Sequence, residues 1–159
     1  MDATESVKPF VSTLLASAPL DVQARDVGFW ELDDDAEVAE ARLQRVLAGH
    51  QRATTSLAWT LEAKGERPPE RGDLRVLRDT AGQPQAVVEV LESQVVPFEH
   101  VDEHVAADVG EGDLSLHSWR STYGTAFERQ CRRLGWRASE AMPVVCLRFR
   151  LVYPRFLGA

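Results

Sequence analysis

The feature that most constrains the fold is the long run of β-branched and apolar residues at positions 85–96. A shorter segment, residues 74–78, alternates apolar and charged side chains just before it. The residues between them include Gly82 and Pro84, which are typical of turns. Alternation of this kind, with β-branched side chains, is typical of half-buried strands. The sequence therefore predicts neighbouring strands joined by a turn, and with them a central sheet.

The other periodic segments complete an α+β pattern. Residues 144–153 alternate as a strand, with Leu147 and Phe149 on the core face and Arg148 and Arg150 on a face that can meet a phosphate. Apolar residues at helical spacing predict helices over residues 1–17, 33–48, 101–107 and 114–134. Residues 57–64 suit either a helix or a strand.

The apolar faces of the two long helices can be assigned from their periodicity. In the earlier helix the residues expected to face inward are Val38, Ala41, Val46 and Leu47. In the later helix the expected core stripe is Leu116, Trp119, Tyr123, Phe127 and Leu134, with Arg129, Arg132 and Arg133 towards solvent. Trp119 is therefore expected in the core rather than as a surface for base stacking.

Length and composition indicate one domain, since 159 residues with 44% hydrophobic side chains can bury a single core. The N-terminus lacks a cationic segment leading into a long apolar run, so we expect neither a signal peptide nor a membrane span, and a cytoplasmic location.

The charge is unevenly distributed along an acidic chain. The formal net charge is −7, which disfavours coating of nucleic acid by bulk electrostatics. Residues 1–113 carry 10 Lys and Arg against 23 Asp and Glu, whereas residues 114–159 carry 8 Arg against Glu128 and Glu140. These arginines can form a local basic face, or they can simply solvate a helix and a strand.

No metal or cofactor site is predicted. Cys131 and Cys146 lie in different elements without the spacing of a zinc site, and they are interpreted as small buried hydrophobic residues, although a bridge between them stays open. The four histidines show no shared face or metal-ligand spacing.

Two polar segments are the candidates for function. In the first, residues 46–57, an apolar helical run ends at Gly49 and is followed by an amide, a guanidinium and three hydroxyls. A glycine that stops a helix fixes the exit angle of the chain, so these polar groups can form a rim that faces a ligand. The alternative is an ordinary turn whose hydroxyls satisfy backbone groups. The second segment is residues 110–120, GEGDLSLHSWR.

Read in order, VLAG, ATTSL, PPERGD, VVPFE, GEGDLSLHSWR and MPVVCLRFRLVY resemble the ASCH domain family, within it the bacterial YhfF-like group. The match runs from about Phe29 to Tyr153, which divides the chain into an N-terminal helix and linker, 1–28, and an ASCH domain, 29–159. The resemblance implies a PUA-like β-barrel with flanking helices, a fold associated with RNA binding. It also implies a cleft in which some members hydrolyse acylated cytidine nucleosides or cut RNA.

The chain departs from the hydrolytic members at the positions that carry protons. The resemblance places Gln51 where those members have a Lys and Val109 where they have a Glu, while Thr54 keeps its hydroxyl. Tyr123 replaces a usual His, and Leu147 replaces a frequent Glu. A neutral amide cannot replace an ammonium as a proton carrier. We therefore expect the hydrolytic mechanism to be lost.

The predicted function is recognition of RNA or a nucleotide or nucleoside in a cleft between the two polar segments. The expected ligand-binding residues are Gln51, Arg52, Thr54, Thr55, Ser56, Glu111, Asp113, Arg120 and Arg148. One alternative is a hydrolase, an amidohydrolase or a ribonuclease, using Thr54 or Ser115 with Arg52. Another is a protein-interaction module working through the N-terminal helix. Asp113 and Ser115 can also act only as caps of the long helix.

Overall fold

The computed structural model describes residues 27–30, 32 and 35–153. The predicted N-terminal helix, and with it the predicted protein partner, lies outside the described residues. The strands are β1 Val27–Trp30, β2 Ala53–Leu57, β3 Leu74–Arg78, β4 Pro84–Pro97 and β5 Pro143–Tyr153. The helices are α1 Ala36–Leu47, α2 Ala58–Ala63, α3 Glu103–Val109 and α4 Leu116–Leu134, with a 3₁₀ turn at Phe98–His100. The α+β class is confirmed.

The strands form one mixed five-stranded sheet in the order β1-β3-β4-β5-β2. β1 runs parallel to β3, whereas the β3–β4 and β2–β5 pairs are antiparallel. Among the described strands β1 and β2 are the two edges of the sheet, so it is not closed into the barrel that the PUA-like resemblance implied. The predicted strand–turn–strand unit is confirmed as β3 and β4.

The described residues divide into two compact units, one made of those up to residue 49 with residues 71–90 and 150–153, and the other of residues 50–70 and 91–149. In the first unit, α1 begins where Asp35 Oδ1 accepts hydrogen bonds from the backbone N–H of Glu37 and Val38, as an N-cap does. The helix ends before Gly49, which has a φ of +78°. Both ends were predicted from the sequence.

The inward face of α1 differs from the predicted one. Leu43 and Val46 are buried, whereas Val38 and Ala41 are exposed. The four predicted positions omitted Leu43 because its charged and polar neighbours hide the period, and they included Val38 because it is apolar. Burial is decided by which stripe faces the remaining core, and that stripe is centred on Leu43.

The second unit has its own apolar core around α4. This helix contributes Trp119, Tyr123 and Phe127, as its periodicity predicts, and also Cys131, whereas the predicted Leu116 and Leu134 are half-buried. The rings of Trp119 and Tyr123 stack with centroids 5.4 Å apart. The remaining buried members are Ala53, Leu57, Val101, Ala106, Val109, Met142 and Val144.

Strand β2 was not predicted, because its sequence, ATTSL, is mostly polar. Burial nevertheless alternates along it, with Ala53, Thr55 and Leu57 buried and the residues between them half-buried. β2 is supported by pairing with β5, in which Thr55 lies opposite Cys146. Residues 53–57 of the first polar segment therefore form a strand rather than a loop, and the ambiguous residues after them form α2.

We expect Leu43→Ala to lower the free energy of unfolding by about 2–5 kcal/mol, because it leaves a cavity at a position that is 1% exposed. Val38→Ala is the matched control: at 38% exposure it is expected to change stability by about 0.5 kcal/mol or less. Equilibrium urea unfolding of both variants measures the difference. Equal losses would contradict the observed helix face.

Candidate functional site

The two predicted polar segments meet in the structure, but through their backbones and their core side chains. Gly110 has a φ of +76°, and a Cβ there would collide with the carbonyl oxygen of His50. Further on, the indole Nε1–H of Trp119 donates to Thr55 Oγ1 at 3.0 Å, and both residues are buried. Where His50 meets Gly110, the space between the segments is therefore filled rather than open.

Gln51 occupies a buried position in this contact region and is only 3% exposed. Its side-chain amide donates from Nε2 to the carbonyl oxygen of Ala53 at 3.2 Å. Its other polar atom, Oε1, is buried and accepts no hydrogen bond from the described residues. An unsatisfied buried carbonyl costs about 1–3 kcal/mol, so this side-chain oxygen lowers the stability of the fold.

The remaining polar residues of β2 do not share one surface. Thr55 faces α4, so the alternation of the strand places Thr54 and Ser56 on the opposite face of β2. Ser115 is the N-cap of α4, the helix that Thr55 faces, and its Oγ bonds the N–H of Ser118 rather than Thr54. Arg52 is exposed; its backbone N–H donates to the carbonyl oxygen of Asp108 at 2.7 Å.

The polar side chains of the second segment mainly support the backbone. Ser115 Oγ accepts from the N–H of Ser118 at 3.0 Å, and Asp113 Oδ1 accepts from the N–H of Ser115 at 2.9 Å. Hydrogen bonds from the side chain and backbone of Ser115 lower the pKa of the Asp113 carboxyl group. Glu111 accepts from the hydroxyl of Tyr123 at 2.9 Å. The contacts of Asp113 and Ser115 therefore match the alternative in which these residues act as caps of the long helix.

The predicted arginines are partly engaged. Arg148 forms ion pairs with Glu92 and with Asp108, both at 3.3 Å. Arg150 donates from Nε to the buried carboxylate of Glu89 at 2.6 Å. Arg120 is exposed and donates to the carbonyl oxygen of Glu99 at 3.4 Å. Arg148 and Arg150 therefore each have a carboxylate partner in place of a phosphate.

Arg148 also lies in the wall of an open pocket of about 370 Å³ within the second unit. The apolar part of the wall is formed by Val96, Val101, Val105 and Cys146. The polar part is formed by Glu92, Gln94, His100, Asp102, His104, Asp108 and Arg148. A concave surface with an apolar patch and a few polar groups is the usual form of a small-molecule site.

The pocket is assembled from β4, the 3₁₀ turn, α3 and β5, and only Arg148 was predicted to belong to it. His100 and His104 share the lining although their spacing gave no sign of it. Burial raises the pKa of the Cys146 thiol to about 11, and nearby Asp102 adds to the rise. His100 ends the 3₁₀ turn and His104 lies in α3, so their spacing of four residues does not place them on one helical face that the sequence could reveal.

The pocket carries more carboxylates than cations. Glu92, Asp102 and Asp108 face one arginine, so an added phosphate would meet net negative charge. Hydrogen-bond donors such as amines and amino groups suit these acceptors better. Within the described residues, no group of three or more His, Cys, Asp or Glu side chains has the geometry of a metal site.

No helix of the described part of the chain is both long and apolar enough to cross a membrane.

Comparison with known proteins gave matches over most of the chain. The family model of the ASCH domain matches residues 28–153. The fold is similar to an ASCH domain from Lactobacillus crispatus, with 30% sequence identity, a TM-score of 0.85 and coverage of 94% of this chain and 95% of that chain. It is also similar to protein EF3133 from Enterococcus faecalis, of the DUF984 family model, with 23% identity, a TM-score of 0.78 and coverage of 94% and 89%. No curated protein matches the sequence.

We expect the alkylation rate of Cys146 by iodoacetamide to keep rising about tenfold per pH unit from pH 8 to pH 10, because only the thiolate reacts and the pKa is raised to about 11. An ordinary thiol, with a pKa near 8.5, levels off by about pH 9.5. A Cys131→Ala background isolates Cys146, and mass spectrometry measures the rate. A plateau below about pH 9.5 would show that the thiol is not in the buried pocket wall.

Proposed function

Because the chain belongs to the ASCH domain family, we propose that it recognises RNA or a nucleoside, and that the pocket beside Arg148 holds the base. ASCH domains are associated with RNA binding, so a nucleic-acid component is the natural ligand class. The proposal includes the finer assignment to the YhfF-like group and a cytoplasmic location.

The observation that carries the proposal is the composition of the pocket wall. An apolar patch that includes Val96 and Val105 suits the face of a base, and the carboxylates of Glu92 and Asp108 can accept from an exocyclic amine of the cytosine type. A volume of about 370 Å³ lies within the range of small-ligand pockets. The pocket therefore supports a base that carries an amino group.

The charge of the pocket favours a base or nucleoside over a phosphate. Arg148 is held by Glu92 and Asp108, so a phosphate would have to displace a carboxylate to reach it. Breaking such a pair leaves the carboxylate beside the incoming anion, which is unfavourable. A phosphate of an RNA ligand is expected to stay outside the pocket.

The contacts of the hydrolase positions argue for recognition rather than turnover. Gln51 is buried with its amide bonded to the backbone, and Val109, in the position of the expected carboxylate, is 1% exposed in the core. Tyr123 donates its hydroxyl proton to Glu111 and stacks on Trp119. These positions hold packing side chains that have no ionisable group near neutral pH.

We expect cytidine to bind about tenfold more tightly than uridine, because a hydrogen bond from an amino group to a carboxylate contributes about 1.5 kcal/mol and uridine lacks that group. Asp108→Asn and Glu92→Gln are expected to weaken cytidine binding and reduce this preference. Each variant also removes one of the two carboxylates paired with Arg148, so binding of cytidine 5′-monophosphate relative to cytidine should rise. Isothermal titration calorimetry with the three ligands measures these ratios.

Glu62→Gln is the matched control, since Glu62 is an exposed carboxylate on α2 and lies outside the pocket. It removes the same charge and is expected to leave all three affinities unchanged. Equal affinities for cytidine and uridine, or an equal effect of the control, would contradict binding of a base in this pocket.

We expect little or no hydrolysis of acylated cytidine nucleosides by the native chain, because Gln51 and Val109 occupy the positions of the proton-carrying residues and cannot replace them. General acid–base catalysis raises a reaction rate by about 100- to 10,000-fold. Liquid chromatography of N4-acetylcytidine after incubation with the protein measures the rate against a buffer blank. Robust turnover that Thr54→Ala abolishes would establish the enzyme alternative instead.

A further inference from the structure

A second surface outside the pocket has the side chains of a nucleic-acid contact. Trp136 lies two residues beyond the end of α4 and is 54% exposed, which is unusual for so large an apolar ring. One face of its indole ring stacks on Trp59 of α2, with centroids 4.8 Å apart and planes inclined by 25°. The large remaining exposure leaves the other face open to solvent.

The exposed ring is held in a fixed orientation. Gly135 adopts a left-handed φ of +75°, and the N–H of Trp136 donates to the carbonyl oxygen of Cys131 at 2.9 Å, which completes a Schellman cap. The underlying α2 is joined to α4 by a hydrogen bond from Thr60 Oγ1 to Gln130 Oε1 at 2.7 Å. Because both supports are ordered, little conformational entropy remains to be lost when a ligand stacks on the ring.

Three exposed arginines lie close to Trp136 in the sequence, on α4 and just after it. Arg129, Arg133 and Arg137 are exposed, and none of them is paired with a carboxylate of the described residues. Arg132 is the exception, since it pairs with Glu128 at 3.1 Å. The only other carboxylate on α2 or α4 is that of Glu62.

Helix stability accounts for only part of this arrangement. Arginines in the last turn of a helix interact favourably with its dipole, and this explains Arg132 and Arg133. It does not explain Arg129, which lies a turn earlier, or Arg137, which lies beyond the helix. It also does not explain why a tryptophan is kept exposed between Arg133 and Arg137.

We propose that Trp136, Arg129, Arg133 and Arg137 form a platform for single-stranded nucleic acid. A base stacks on the open face of Trp136, and the guanidinium groups bind the phosphates on either side. Every base has a π face, so the platform tolerates many sequences. It reads the backbone and one stacked base, whereas the pocket beside Arg148 is proposed to hold an amino-bearing base; the two proposals stand on different residues.

Fluorescence anisotropy of a labelled oligouridylate of about ten nucleotides, and of its deoxy counterpart, tests the platform. Uridine lacks the amino group that the pocket is proposed to require, so this probe reports on the platform. We expect Trp136→Ala to weaken binding of both oligonucleotides roughly tenfold, and Trp136→Phe to weaken it less, because an aromatic face is retained. Quenching of tryptophan fluorescence by the oligonucleotide is expected to be reduced in both variants.

A charge-matched pair of variants separates local contacts from bulk attraction. Arg133→Gln with Arg137→Gln is expected to weaken binding and lower the slope of log affinity against log salt by about 1.4. Arg67→Gln with Arg71→Gln removes the same charge at exposed positions before β3 and is expected to leave the slope unchanged.

Three results would overturn the proposal: no oligonucleotide binding at low salt, unchanged affinity in Trp136→Ala, or equal effects of the two arginine pairs. Circular dichroism of each variant shows whether it is folded, and Trp136→Phe serves as the informative variant if Trp136→Ala does not fold. Loss of cytidine binding in Asp108→Asn with oligouridylate binding retained would support the platform and the pocket as separate sites.

Discussion

The hydrogen bond from the indole of Trp119 to the hydroxyl of Thr55 is the interaction on which the second unit depends. It joins α4 to β2 inside an aromatic cluster, where either polar atom alone would be unsatisfied at a cost of about 1–3 kcal/mol. With α4 fixed in this way, Tyr123 lies one turn further along and contacts Glu111. The segment before α4 and the strand β2 are therefore positioned together.

The periodic elements were predictable because their signals are local. The caps and length of α1, most of the core stripe of α4, the alternation in β3 and β5 and the β-branched run of β4 can each be read within one segment. β2 was missed because its support is distant in sequence: Thr55 lies opposite Cys146 in the sheet. The open edges of the sheet likewise depend on strand pairing that no single segment reveals.

The site was harder to predict than the fold for a related reason. The polar motifs were the candidates that the sequence offered, yet Asp113 and Ser115 in the most prominent motif mainly bond the backbone at the start of α4. The pocket instead combines residues such as Gln94 of β4, His104 of α3 and Cys146 of β5, which come from separate elements and form no motif. Of the pocket residues, only Arg148, on an alternating strand, was predicted from the sequence to bind a ligand.

The buried amide of Gln51 affects the stability of the native state. Its Oε1 gains no hydrogen bond from the described residues, and a buried oxygen that has neither a protein partner nor a water costs about 1–3 kcal/mol. Domains of this size are stable by only about 5–15 kcal/mol, which makes that cost a sizeable fraction of the whole. A nonpolar side chain of similar shape would remove that cost but would also remove the Nε2–H that donates to the carbonyl oxygen of Ala53, so the two ends of this amide act on stability in opposite directions.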